Sequence, residues 1–244
     1  MSSIKISERL KKVAKCVNEG SKVADIGCDH AYTAIYLIKN GIASNVIAMD
    51  INKGPLQKAK KNIQEYDCLK QIETRLSDGA KKLEVGEVDT ILISGMGGRL
   101  TSKILAESID VVRKCSQLVL QPQSEIYLVR QFLETIGFNI VYEDMLIEDG
   151  KYYVVINAMN IGENVHNIDR NKKNSITVQE NYGKYLLDNK NEILHGFLLK
   201  ELAKNNDITF VLSKKTDNDY RLKNRISELE QEKELIREAL EYYE

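Results

Sequence analysis

The chain has 244 residues, of which 43% are hydrophobic and 29% charged, a composition typical of a globular protein that buries a substantial core. Its net charge of −1 excludes a strongly basic nucleic-acid coat as the whole protein but not a local basic face. Four scattered cysteines without a CxxC pair, no apolar run approaching ~18 residues and no apolar signal segment predict a cytoplasmic protein that binds no metal and does not span a membrane.

Residues 4–159 alternate between helical and strand patterns. An amphipathic helix is predicted first, over 4–17. Short apolar runs predict buried strands at 23–27, 46–49, 72–76, 88–93 and 118–120. The accompanying helices are predicted over 31–39, 55–65, 99–113 and 124–135. This alternation predicts an α/β fold with a parallel sheet. Asp149-Gly150, between the runs 138–147 and 151–159, predicts a closing antiparallel hairpin.

The composition changes near residue 160, so we predict two domains, 1–160 and 161–244. Residues 161–175 are polar and rich in asparagine, as in a linker. Two long helices are predicted beyond them, over 176–203 and 213–242. An apolar seam with 4-3 spacing runs along the second helix, with Lys233 at its missing position, and consists of Leu222, Ile226, Leu229, Ile236 and Leu240. We favour an antiparallel helical hairpin within a monomer, and the alternative is an intermolecular coiled coil.

Ligand-type residues stand at the ends of four successive predicted strands. The first strand ends at Asp25-Ile-Gly27, and the second ends at Asp50, whose carboxylate suits two ribose hydroxyls. The third ends at Ser77-Asp78-Gly79, where a polar side chain could meet an adenine amino group. The fourth ends at 94–98, where three glycines let a flat group approach the backbone. Ligands bind at this edge of doubly wound sheets.

Each strand end also has a purely structural interpretation. Asp25 could cap the following helix, Asp29 and His30 could form an N-cap pair, and Asp78-Gly79 is a common turn. Four consecutive strand ends of this kind nevertheless favour a ligand site over four unrelated turns.

Several motifs occur in order at these strand ends, namely DIGCDHAY, AMDINKGP, LSDGA, ISGMGG, LQPQ and EDGKYY. Together they resemble the class I S-adenosylmethionine-dependent methyltransferases and, more narrowly, the bacterial tRNA (adenine-22 N1)-methyltransferase family. The resemblance covers residues 4–159 strongly, and the family also carries a C-terminal helical domain. The sequence departs from the family pattern at Ser94, where alanine is usual, and at Gln123, where asparagine is usual.

The resemblance implies a Rossmann-like seven-stranded sheet whose last strand is antiparallel, and S-adenosylmethionine as the cofactor. It implies that Asp25 and Gly27 lie beside the methionine moiety. Asp50, with Ile51 beside it, would hold the ribose. The adenine would be bordered by Ser77, Asp78 and Gly79, with His30 also at the cofactor. Ser94 and Gly95 would line the place where the methyl group meets the target base.

Methylation at adenine N1 requires no base, because N1 carries a free lone pair at neutral pH. The enzyme must align the reacting atoms, and a nearby carboxylate would stabilise the cationic product. We predict Asp29 in that role, with His30 or Tyr32 at the pocket rim, and Ser94 and Gly95 as the other catalytic positions. N1 lies on the Watson–Crick edge, so the base must be extruded. Met96 either packs on that base or packs within the protein.

The overall charge averages over unlike segments. Residues 1–22 carry six basic and two acidic side chains, whereas the last 17 residues carry two basic and seven acidic ones. If the first helix lies beside the cofactor, its basic side chains could bind tRNA phosphates. The candidate phosphate ligands are Arg9, Lys12, Lys53, Arg170 and Lys172, although a solvated helix face is the simpler interpretation of each cluster.

Three alternative functions stay open from the sequence. The chain could methylate another RNA or a small molecule. It could be a nucleotide-binding oxidoreductase, although it has no GxGxxG motif. It could also be a non-enzymatic RNA-binding or scaffold protein that uses its helices.

Overall fold

A computed structural model of the chain describes residues 4–162, 177–214 and 220–244. The chain divides into two compact units, Met1–Arg170 and Asn171–Glu244. The domain ranges 1–160 and 161–244 stay a prediction, because their boundary adjoins residues outside the described ranges.

Within the described residues, the first unit contains a seven-stranded sheet in the order β3-β2-β1-β4-β5-β7-β6. The strands are β1 (Ser21–Ile26), β2 (Ala43–Asp50), β3 (Ile72–Leu76), β4 (Thr90–Met96), β5 (Gln117–Pro122), β6 (Phe138–Glu148) and β7 (Lys151–Asn160). Strands β1 to β5 pair in parallel, and β7 is antiparallel to both β5 and β6. The predicted Rossmann-like sheet with an antiparallel last strand is confirmed.

In the part of this unit that the structure describes, six helices surround the sheet, namely α1 (Glu8–Lys15), α2 (Tyr32–Lys39), α3 (Lys53–Glu65), α4 (Gly98–Glu107), α5 (Ile109–Val112) and α6 (Ile126–Thr135). The prediction of one helix over 99–113 is wrong, because the chain leaves helical geometry at Ser108, with φ −128° and ψ 35°. The Ser108 carbonyl instead accepts from the amides of Val111 and Val112, both over 3.0 Å. The second segment, α5, then starts with its own short turn.

The core lies along the central strands. Ile91, Leu92 and Ile93 of β4 are at most 1% exposed, and Leu118–Leu120 of β5 are fully buried. Side chains of successive strand residues point to opposite faces, so a continuous buried run means that both faces are covered. These strands therefore form a rigid support whose carboxyl ends hold the loops that follow them.

The second unit contains α7 (Val178–Tyr182), α8 (Lys184–Asp188), α9 (Glu192–Ser213) and α10 (Tyr220–Leu240). The prediction of one helix over 176–203 is wrong, because the segment is divided among α7, α8 and α9 and the last of these ends later. The chain breaks at Gly183, with φ 89°, and again before Asn191, whose side chain caps α9. Helix α9 then continues to Ser213, because its apolar positions extend past residue 203.

Helices α9 and α10 form an antiparallel hairpin, as predicted. The Tyr243 hydroxyl, just after α10, donates to the Asn191 carbonyl at the start of α9, over 2.9 Å. Near the middle of both helices, Asn205 Nδ2 donates to Glu232 Oε2 over 3.1 Å. Leu229 and Ile236 of the predicted seam are buried, and Lys233 is buried between them. The monomeric state stays a prediction.

Gly98 allows the start of α4 to pack against the segment before α6. A Cβ at this position would lie 2.3 Å from the Glu125 carbonyl oxygen and 2.6 Å from that of Ser124. Because backbone atoms cannot move aside cheaply, we expect Gly98→Ala to lower the free energy of unfolding by about 1–3 kcal/mol. The control is Gly196→Ala in α9, where a Cβ meets nothing within 4 Å.

The control should raise the free energy of unfolding by about 0.5–1 kcal/mol, because alanine favours the helix. Urea unfolding followed by circular dichroism measures both changes. Equal effects of the two substitutions would contradict the packing argument for Gly98.

Candidate active site

The carboxyl ends of five parallel strands meet at one edge of the sheet. Ile26, the last residue of β1, is in register with Met49 of β2 and Ile93 of β4. On either side, Asp50 is in register with Leu76, and Ser94 with Gln121. This edge therefore brings together the predicted ligand residues Asp25, Gly27, Ile51, Asp50, Ser77, Asp78, Gly79, Ser94 and Gly95.

Asp25 is a buried carboxylate without a hydrogen bond on one of its oxygens. The residue is 3% exposed, and its Oδ2 atom has no hydrogen-bond partner among the described residues. Burial, and secondarily the charge of Asp50, raises its pKa to about 7. Asp25 does not cap α2, whose N-cap residue is Ala31. A cationic ligand group would supply the missing partner.

The loop that follows β1 adopts an unusual backbone conformation. Three of its five residues have left-handed backbone angles, namely Gly27 (φ 75°), Asp29 (φ 49°) and Ala31 (φ 59°). Left-handed geometry costs about 1–2 kcal/mol for a residue with a Cβ. The amide groups of Gly27 and Cys28 both donate to the Met49 carbonyl, which fastens the loop to β2. Strain of this kind is typical of ligand-binding loops.

Asp29 is exposed to solvent, with 72% of its side chain accessible. Its Oδ1 atom lies 3.5 Å from His30 Nε2, and the His30 ring centroid lies 6.0 Å from that of Tyr32. Neither Asp29 nor His30 caps α2, because Ala31 is the N-cap and receives no side-chain hydrogen bond. Asp29 and His30 of the loop and Tyr32 at the start of α2 therefore lie close together, and neither Asp29 nor His30 is used to cap the helix.

The end of β2 offers a carboxylate and an apolar surface side by side. Asp50 Oδ1 accepts a hydrogen bond from the Asn52 amide over 2.8 Å. Ile51 is 60% exposed. The Ser77 amide donates to the Asp50 carbonyl over 2.9 Å, which brings the end of β3 next to this carboxylate. The arrangement can hold a hydroxyl-bearing ring and the flat group attached to it.

At the end of β3, contacts within the protein explain part of the Ser77-Asp78-Gly79 turn without a ligand. Asp78 forms an ion pair with Lys81, which also holds the pKa of that carboxyl below its usual range. Ser77 is buried, and its hydroxyl accepts from the Lys82 amide over 3.3 Å. A Cβ on Gly79 would lie 3.0 Å from the Ile104 side chain. This turn is packed by its own neighbours while its Asp78 carboxylate stays more than half exposed.

The glycine-rich end of β4 lies against the loop that follows β1. The Met96 methyl group lies 2.3 Å from the point where a Cβ on Gly27 would stand, and the φ of 75° at Gly27 favours glycine there. Met96 therefore packs within the protein against Gly27. Gly95 has φ 82°. A Cβ on this residue would lie 3.7 Å from Gln123 Nε2 and 4.0 Å from Arg9 Nη1.

Arg9 reaches this site from the first turn of α1. Its Nη1 atom donates to Gln121 Oε1 over 2.6 Å, and its guanidinium lies 5.3 Å from the Tyr153 ring centroid. Glu148 accepts a hydrogen bond from the Arg9 amide over 3.2 Å. Sequence reasoning missed Gln121, Glu148 and Tyr153, although all three belong to the LQPQ and EDGKYY motifs.

Two of the other predicted RNA ligands lie in the described part of the chain. Lys12 forms an ion pair with Asp144 in the middle of β6. Lys53 is exposed at the first position of α3. Arg170 and Lys172 lie outside the described residues. Of the predicted phosphate ligands in the described part of the chain, Arg9 is therefore the one that borders Gly95.

The described ranges contain no group of three or more histidine, cysteine, aspartate or glutamate side chains that could hold a metal ion. Nor does any helix in those ranges have the length and apolar character needed to cross a membrane.

A family model described as a methyltransferase domain matches residues 6–156. Over the whole chain, a similar protein is the tRNA (adenine(22)-N(1))-methyltransferase of Bacillus subtilis, which is 32% identical over 242 residues. That match covers 99% of this chain and 100% of the relative.

Solved structures give the same likeness. The B. subtilis m1A22 tRNA methyltransferase TrmK superposes with a TM-score of 0.83 at 30% identity, covering 98% of this chain and 100% of that one. M. capricolum TrmK, solved with the natural cofactor product S-adenosyl-homocysteine, superposes with a TM-score of 0.74 at 27% identity. This second match covers 95% of this chain and 99% of the relative.

Proposed function

Because this chain belongs to the bacterial tRNA (adenine-22 N1)-methyltransferase family of class I methyltransferases, we propose that it methylates N1 of adenine 22 in tRNA with S-adenosylmethionine. The observation that carries the proposal is the full-length similarity to the B. subtilis enzyme. The two units of the chain thus both have counterparts in that relative. Because tRNA is the proposed substrate, we also propose that the protein acts in the cytoplasm, as a monomer.

The sheet edge fits the proposed cofactor. When bound, S-adenosylmethionine supplies an electrophilic methyl group that the N1 lone pair of adenine can take up without a base. The unpartnered oxygen of Asp25 can accept the ammonium group of the methionine moiety, and Gly27 leaves the backbone open beside it. Asp50 can accept both ribose hydroxyls, and the exposed face of Ile51 can pack on the adenine.

We propose Ser94 and Gly95 as the lining of the methyl-transfer point, with Asp29 as the group that stabilises the positive charge of the methylated base. Asp29 is exposed in the free protein, so its effect depends on water being displaced when the base enters. His30 and Tyr32 stand beside it at the rim. In this arrangement the protein aligns the two reactants and performs no proton transfer.

Arg9 is the proposed phosphate ligand next to the target base. Its guanidinium is held by Gln121 and Tyr153, and an arginine oriented in this way loses little freedom when it binds a phosphate. Lys12 and Lys53 would add phosphate contacts farther away. Arg170 and Lys172 keep the same proposed role from the sequence.

Incubation with unmodified tRNA and labelled S-adenosylmethionine, followed by nucleoside mapping, tests the proposed function. We expect N1-methyladenosine at position 22. Label in another RNA or in small molecules would favour the alternative methyltransferase function. Binding of NAD, or no binding of S-adenosylmethionine, would instead favour the oxidoreductase or the non-enzymatic RNA-binding protein.

The same assay tests Asp29. We expect Asp29→Ala to lower turnover by about tenfold, because one carboxylate beside the developing cation is lost. Cofactor affinity should change less than twofold, since Asp25 and Asp50 supply the proposed polar contacts. Unchanged turnover would remove Asp29 from the mechanism.

Cofactor affinity should rise with pH. Below about pH 7 the buried Asp25 is increasingly neutral, and a neutral carboxyl attracts an ammonium group less strongly. Between pH 6 and 7.5 the ionised fraction of a group with this pKa rises by about eightfold, and the association constant should rise accordingly. Calorimetric titration over this range measures the effect.

Asp25→Asn should bind weakly and independently of pH. The control is Asp78→Asn, because the Asp78 pKa is lowered and that carboxylate stays ionised throughout this range. The control should keep the wild-type pH dependence. A flat wild-type profile would contradict the role of Asp25.

Arg9→Ala should weaken tRNA binding more than Lys12→Ala does. Both side chains have an acidic partner, Glu148 Oε2 at 4.0 Å from Arg9 Nε and Asp144 for Lys12, but Arg9 borders Gly95 whereas Lys12 lies at the middle of β6. Removing one phosphate contact should reduce the slope of log affinity against log salt by about one. Lys114→Ala is the control, because Lys114 is exposed just before β5, at the opposite edge of the sheet. Equal slopes for all three variants would refute the Arg9 contact.

A further inference from the structure

Hydrogen bonds from two directions hold the loop between β1 and α2. On one side, the amide groups of Gly27 and Cys28 donate to the Met49 carbonyl of β2, over 2.8 and 2.9 Å. On the other side, the Asn62 side chain of α3 donates from Nδ2 to the His30 carbonyl over 2.9 Å. The first pair of hydrogen bonds joins backbone groups at the ends of two neighbouring strands. The second depends on one amide side chain from a residue 32 positions along the chain.

The hydrogen bond from Asn62 meets the loop at the point where its backbone is least favourable. His30 stands between the two left-handed residues that carry a Cβ, Asp29 and Ala31. The His30 carbonyl belongs to the peptide group between His30 and Ala31, so the hydrogen bond constrains ψ of His30 and φ of Ala31. It therefore holds the left-handed conformation of Ala31 at the end of the loop.

Asn62 does not use its amide to stabilise its own helix. Asn40, by contrast, donates from Nδ2 to the Tyr36 carbonyl four residues earlier, over 2.8 Å. Asparagine is also a poor helix former, so its place inside α3 is not explained by helix propensity. Its side chain donates instead to the His30 carbonyl, in the loop at the sheet edge.

We propose that Asn62 is a positioning residue, which holds the loop of residues 27–31 in the conformation that binds the cofactor. This inference rests on the proposed function. Helix α3 starts directly after the turn of Asp50 and Asn52, so the same helix that follows the proposed ribose ligand also fixes the loop beside the methionine moiety. The two halves of the cofactor site are thereby set at a fixed distance through α3.

Asn62→Ala tests the proposal in the full-length protein. We expect the Kd for S-adenosylmethionine, measured by calorimetry, to rise by about fivefold to tenfold, which is the effect of one lost hydrogen bond to an ordered loop. The KM for the cofactor should rise with it. The KM for tRNA should stay within twofold, because Arg9 is untouched. Hydrogen exchange of the amides of residues 27–35 should become faster.

Asn40→Ala is the matched control. It removes an amide-to-carbonyl hydrogen bond at the end of α2, so it should lower thermal stability without changing cofactor affinity. Asn62→Asp is the second variant, in case the alanine variant does not fold. It keeps the size of the side chain but replaces the donor with a carboxylate that repels the His30 carbonyl, and we expect at least the same loss of affinity.

The outcomes separate the two proposals. A wild-type protein that binds and uses S-adenosylmethionine, together with an unchanged Kd for the Asn62 variants, would overturn the role of Asn62 alone. A wild-type protein that fails to bind the cofactor would overturn the proposed function, and this inference with it. A rise of equal size in Asn40→Ala would show a general loss of stability and would also overturn the role of Asn62.

Discussion

The docking of α1 across β5 depends on one fully buried amide, that of Gln117. Its Oε1 atom accepts from the Asn18 amide and the Thr90 hydroxyl, and its Nε2 atom donates to the Cys16 carbonyl and to Asn157 Oδ1, at 2.6–3.0 Å. A buried amide with every partner satisfied is stabilising, but one left unsatisfied costs about 1–3 kcal/mol. This network therefore tolerates only one placement of the end of α1 on the sheet.

The start of α1 is fixed by a second glutamine on the same face of β5. Gln121 Oε1 accepts a hydrogen bond from the Arg9 guanidinium, and it follows Gln117 by four residues, which is about 13 Å along a strand. Cys16 follows Arg9 by seven residues, which is about 10 Å along a helix. The helix therefore runs from the edge with the ligand residues to the opposite edge. Arg9 borders the site for this reason, whereas Lys12, less than one turn later, already contacts β6.

The sheet was predictable from the sequence because each central strand is a continuous apolar run with a turn residue at its end. The same logic placed Asp25, Asp50 and Ser94 at one edge. Other features depend on contacts between distant residues and leave no local pattern. The contact of Arg9 with Gln121 is of this kind. The break at Gly183 is different, because the glycine, with φ 89°, is itself a local signal that the helical periodicity around it outweighed in the prediction. Arg9 and Lys12 look equivalent in the sequence, and only the packing of α1 separates them.

Two departures of the fold from local preference lie at the proposed site. Gln117 is buried with all its partners, whereas Asp25 is buried with an oxygen that has none among the described residues. Asp29 and Ala31 adopt left-handed angles without being glycine. Stability alone would select against both features. The proposed cofactor would account for both, because its ammonium group would satisfy the carboxylate and the loop would hold the methionine moiety beside it.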